Sequence, residues 1–66
     1  MVVLKVIEVW AYSIASWEEA AQNAVVHASK SLKNIRSCYI NEQTCAVTDG
    51  KILDYLVNCK ITIEVK

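Results

Sequence analysis

Asp49-Gly50 lies between two long runs that alternate apolar and polar residues. An Asp-Gly step in that setting is a strong signal for a two-residue β-hairpin turn. Residues 36–48 and 51–65 therefore read as the two strands of a hairpin. The second run alternates almost without fault. Leu53, Tyr55, Val57, Cys59, Ile61, Ile63 and Val65 fall on one face. Asp54, Asn58, Lys60, Thr62 and Glu64 fall on the other, where only Leu56 is apolar. Residues 2–10 (VVLKVIEVW) are β-branched and apolar and read as a further strand. Residues 16–34 read as a helix. Ser16-Trp17-Glu18-Glu19 has the form of a capping box, and its acids suit the positive end of the helix dipole. Trp17, Ala21, Ala24, Ala28 and Leu32 recur at helical spacing, and the small alanines imply close approach to a sheet. Lys30 and Lys33 sit near the helix end, where cations are favoured. The expected fold is α+β, in the order β-α-β-β. One helix packs on a three-stranded antiparallel sheet, in a single domain spanning residues 1–66.

A chain of 66 residues is at most one domain, and below about 70–80 residues a single core is seldom self-sufficient. It is 55% hydrophobic and 21% charged, which excludes disorder. Seven basic and seven acidic residues give zero formal charge. Non-specific nucleic-acid binding needs a basic surface, so no nucleic-acid partner is expected. Little repulsion also holds such apolar chains apart, which points to a homo-oligomer. The longest apolar runs are four residues, far short of the roughly 20 that cross a membrane. The opening residues do not read as a signal peptide, because Lys5 and Glu8 interrupt them. Three cysteines, none in a C-x-x-C pair, read as reduced thiols of a cytoplasmic protein. Gly50 is the only glycine, so no glycine-rich phosphate loop is present.

Several strings carry a family resemblance. They are Lys5-Val6-Ile7-Glu8-Val9, Ser16 through Val25 (SWEEAAQNAV) and Ala28 through Arg36 (ASKSLKNIR), followed by Glu42-Gln43, Asp49-Gly50-Lys51-Ile52, Asp54-Tyr55 and Glu64-Val65. In order and without gaps, they resemble the dodecins. The resemblance implies a small β-α-β-β subunit of a hollow, symmetric homo-oligomer of twelve chains. It implies a non-enzymatic role, and in many members the binding and buffering of flavin (FMN or riboflavin) between subunits. Flavin-binding dodecins carry a stacking tryptophan directly after the position of Arg36, and this chain has Ser37. They carry a flavin-bonding glutamine after the position of Tyr55, and this chain has Leu56. A hydroxyl supplies no stacking face, and a leucine neither donates nor accepts. No cofactor-binding residue is therefore assigned. The expected protein is a dodecin-like assembly whose flavin site has been lost. The alternative is a flavin-storing dodecin with a modified site.

A second departure follows the first strand, where the family's turn glycine is replaced. Trp10, Tyr12, Ile14 and Val26 are apolar residues at positions the fold is expected to expose. Val26 lies nine residues from Trp17, about 180° around a helix. Trp and Tyr are enriched in interface hot spots. These four are read as one protein-protein interface near the helix start, natural or engineered, for copies of this chain or for a second protein.

No catalytic or single-chain metal site emerges. His27 is alone on the helix surface. Counting from a two-residue turn places Cys59 opposite Ile40 with Cys38 diagonal to it on the core face, and turns Cys45 the other way. The cysteines read as apolar filler. Zinc needs three or four convergent ligands. Glu8, Glu42 or Glu64 could build a carboxylate ring only around a symmetry axis, where Ca²⁺ or Mg²⁺ would be preferred.

Overall fold

The structure, a computed structural model, describes residues 2–65. Met1 and Lys66 of the expected domain lie outside them. The order is β1 (Val3–Ser13), α1 (Trp17–Ser29), β2 (Ile35–Thr48) and β3 (Lys51–Val65). The three strands form one antiparallel sheet, as expected, and their order is β1-β3-β2. Asp49 and Gly50 both take positive φ, 53° and 74°. That is the backbone of a type I′ hairpin turn.

The central strand β3 is buried on its odd positions, Val57, Cys59, Ile61 and Ile63, which meet Ala20, Ala24 and Ala28 of α1. Alanine at every fourth position lets the helix axis lie close to the sheet. Three of these seven core residues are alanines, so the core is shallow. A 13-residue helix is about 20 Å long, whereas the molecule is 52 Å long. Much of the sheet therefore has no helix over it.

Both ends of α1 differ from expectation in part. Ser16 caps the helix, its hydroxyl accepting from the Glu19 amide over 3.0 Å. The reciprocal half of the box is not made, because the Glu19 carboxylate instead accepts from the Ser13 hydroxyl. The helix stops at Ser29 rather than 34. The Ser31 and Leu32 amides both turn back to the Ala28 carbonyl, and Asn34 sits at φ 63°. Asparagine tolerates this left-handed conformation, which ends helices. The Asn34 carbonyl then accepts from the Glu64 amide and ties the turn to β3.

β1 continues three residues beyond residue 10, because β3 is long enough to give Ala11, Tyr12 and Ser13 the partners Val57, Leu56 and Tyr55. The β2–β3 pair contains register shifts. Thr48 and Val47 face Lys51 and Ile52, after which an extra residue on β3, Leu53, moves the pairing by one. An extra residue on β2, Asn41, moves it back. Cys59 therefore faces Ile40 as counted, but Cys45 faces Tyr55. Cys45 lies on the helix side of the sheet, not on the other face. A simple count from the turn misses it because bulges flip the pleat.

Candidate functional site

The sheet face away from α1 is built in rows by the pairing of β3 with its two neighbours. From one end these are Val6–Thr62–Ser37, Glu8–Lys60–Tyr39, Trp10–Asn58–Glu42 and Tyr12–Leu56–Thr44. Directly paired residues point to the same side of a sheet, about 4.5–5.5 Å apart. Ser37 and Leu56, the two departures, both lie on this open face. So do Trp10, Tyr12 and Tyr39, all largely exposed.

The four residues expected to form an interface are all exposed, but they do not form one patch. Trp10 (55% exposed) and Tyr12 (64%) stand on the open sheet face. Val26 (49%) lies on α1, on the side turned away from Ala24 and Ala28, and so across the molecule from them. Ile14 lies just beyond the end of β1 and is 81% exposed. The physical reason is the longer β1, whose pleat carries Trp10 and Tyr12 to the side opposite the helix while Ala11 faces it.

Next to Trp10 in the sheet is a polar pair that the sequence pattern does not single out. Asn58 is fully buried, and its Oδ1 accepts from Asn41 Nδ2 over 3.2 Å. The Asn58 Nδ2 has no partner among the described residues. The only signal in the sequence is an asparagine amid the central strand, where an apolar or β-branched residue is favoured.

The carboxylates of interest are separated. Glu8 faces Lys60 across β1–β3, Glu64 forms an ion pair with Arg36, and Glu42 flanks Asn58 from β2. No group of three or more His, Cys, Asp or Glu among the described residues could hold a metal ion. On the helix side, a shallow groove of about 420 Å³ lies between α1 and β2, lined by Trp17, Glu18, Ala21, Ile40 and Gln43. The Trp17 indole closes one end, donating to the Thr44 carbonyl over 3.1 Å and meeting Tyr55 edge-on with centroids 4.9 Å apart. Cys38, Cys45 and Cys59 are all free thiols. No described helix is long and apolar enough to cross a membrane.

A β-α-β-β subunit with one alanine-faced helix on a long three-stranded sheet has close counterparts among known proteins. The dodecin family model matches residues 3–66, and the chain belongs to the dodecin family. The calcium dodecin of Mycobacterium tuberculosis is 33% identical over all 66 residues, covering 93% of that protein. A crystal structure of that calcium-chelating protein, described as having a novel calcium-binding site, superposes with a TM-score of 0.82 at 37% identity, over 97% of this chain and 91% of that one. A Thermus thermophilus dodecin mutant superposes with a TM-score of 0.93 over 100% of this chain and 98% of its own, at 21% identity. Dodecin from Streptomyces coelicolor does so with 0.91 over 98% and 93%, at 23% identity. These last two attest the fold. Dodecins are small binding or storage proteins, not enzymes, as the sequence reading expects of this chain.

Proposed function

We propose that the chain is a non-enzymatic subunit of a hollow, symmetric cytoplasmic homo-oligomer of twelve, in which the usual flavin site has been lost. One observation carries the loss. Ser37 opposite Thr62, and Leu56 between Tyr12 and Thr44, present a hydroxyl and an alkyl group to the open face. Neither stacks on a flavin ring nor reads its edge, so the residues present do not fit the group. Two features support assembly. Among the described residues seven apolar side chains make up the buried core, few for an independent domain, and Leu4, Val6, Trp10 and Tyr12 crowd the uncovered sheet face. That face serves protein-protein contact, with copies of this chain or with a second protein.

The test is a gain of function. Titrating riboflavin against the wild-type protein, with flavin fluorescence as readout, gives no saturable quenching. The Ser37→Trp/Leu56→Gln double variant quenches it. Wild-type quenching as tight as that of the double variant would establish the alternative, a flavin store with a modified site.

A second reading is calcium binding, favoured by the relatedness to calcium dodecin at 33% identity. Calcium takes six to eight oxygen ligands, and Glu42 with its neighbours supplies too few within one chain. A site would have to be completed by other copies around an axis. Calorimetric titration with calcium chloride tests it. Uptake that Glu42→Gln abolishes supports the reading, and no heat of binding in the wild-type assembly ends it.

A further inference from the structure

The groove between α1 and β2 is open because α1 rests mainly on β1 and β3 and meets β2 least. Its volume of about 420 Å³ lies within the range of small-molecule sites, roughly 300–1,000 Å³. Ala21 and Ile40 give it apolar surface, Trp17 closes one end, and Glu18 and Gln43 add a carboxylate and an amide. The Trp17 ring is held in two ways: Nε1 donates to the Thr44 carbonyl, and the ring meets Tyr55 edge-on. A side chain fixed before any ligand arrives loses little freedom on binding.

Charge selects the occupant. Among the described residues Glu18 is the only charged one lining the groove. No cation answers it there, for the one ion pair among those residues is Arg36–Glu64. α1 contains no lysine or arginine, and its C-cap, Lys30, follows Glu18 by twelve residues, about 18 Å along the axis. On β2 the residues that share the helix side are Cys38, Ile40, Gln43 and Cys45, none of them basic. The neighbouring carboxylate, Glu19, is engaged by the Ser13 hydroxyl. Two carboxylates in the first turn outweigh the roughly half positive charge of a helix N-terminus, so this end of the groove attracts cations.

A metal ion needs several oxygen ligands and would find one carboxylate. It would also gain nothing from Ala21 and Ile40. An alkylated ammonium ion uses every part of the lining. Its methyl groups meet Ala21 and Ile40, its positive charge is attracted by both the indole and the carboxylate, and a hydroxyl on its tail can bond the Gln43 amide. We propose that the groove is a binding site for a small alkylated organic ammonium ion of the choline type, with Trp17 as the aromatic wall and Glu18 as the counter-ion. Glu18 is exposed, so its contact has the strength of a surface pair. The site lies on the helix side, away from the open sheet face.

The assembled protein, with fluorotryptophan at its two tryptophan positions, is titrated with choline chloride at constant ionic strength and followed by fluorine NMR. A Trp10→Phe sample identifies the Trp17 resonance. That resonance should shift saturably with choline while the Trp10 resonance stays still. Glu18→Gln should weaken binding about fivefold. Dimethylbutanol, the uncharged isostere of choline, should give no saturable shift. Equal affinity for the two probes would show a groove that reads only apolar shape, and equal affinity in Glu18→Gln would remove the counter-ion. No saturable shift of Trp17 would show a groove filled in the assembly by a neighbouring copy. Each of these three results overturns the proposal.

Discussion

The indole Nε1 of Trp17 donates to the backbone carbonyl of Thr44, 3.1 Å away and 27 residues on in the chain. The first residue of α1 is thereby fastened to the middle of the hairpin, at a place where bulges have shifted the register. The same ring meets Tyr55, so one side chain joins helix, β2 and β3.

Trp17→Phe keeps most of that ring and removes the donor. A lost hydrogen bond of this kind costs about 1 kcal/mol. Trp17→Ala also removes the packing, and large-to-small changes of an aromatic cost about 3–5 kcal/mol when fully buried. Trp17 is only partly buried, so Trp17→Ala should fall below that range but well above Trp17→Phe. Urea unfolding at fixed protein concentration measures both.

Ser16→Ala should destabilise by about 1 kcal/mol and Ser16→Gly by only a few tenths, because the Ser16 hydroxyl satisfies the Glu19 amide at the helix start. Thermal unfolding of the two variants side by side gives the comparison. Equal losses would show that the cap contributes little and that backbone entropy dominates at this position.

The Asn41–Asn58 pair makes opposite predictions for its two members. Asn41→Ala strips the buried Asn58 of its partner and should cost about 1–3 kcal/mol. Asn58→Leu removes a buried amide whose Nδ2 is unpartnered, leaving Asn41 free to meet water, and should be neutral or stabilising. The same unfolding assay separates them.

Alkaline conditions should expose the Cys59 thiol. In the unfolded chain this group ionises near its ordinary value of 9.0, and in the folded one it holds its proton up to about 11. Its contribution to stability is fully present below pH 9 and is lost as pH rises from 9 to 11, because only the unfolded state gains from ionisation in that window. Lysines and tyrosines titrate there too, so the readout is a difference. Between pH 8 and 11 the wild type should lose more stability than Cys59→Ala, each measured by its urea midpoint.

Much of the fold was legible in short-range chemistry. Asp49-Gly50 announces the turn, the alternation of β3 announces the burial of Val57, Cys59, Ile61 and Ile63 though not that of Asn58 or the exposure of Leu53, and Ser16 announces the start of α1. What was hidden depended on pairing between distant strands. The bulges at Leu53 and Asn41 reverse the side on which Cys45 falls, and nothing local marks them. The extension of β1 to Ser13 depends on how far β3 continues, so Trp10 looked like the end of a strand and Tyr12 like a loop residue, both beside Val26. The two departures at Ser37 and Leu56 were visible from the residues alone. That they share an open face with Trp10 and Tyr12 required the register.

Native mass spectrometry of the protein as purified tests the central claim most directly. The account predicts a single assembly of twelve chains of 7.4 kDa with no added mass from flavin. A monomer or smaller oligomer would contradict the assembly, and twelve chains carrying increments of one flavin each would contradict the loss of the site.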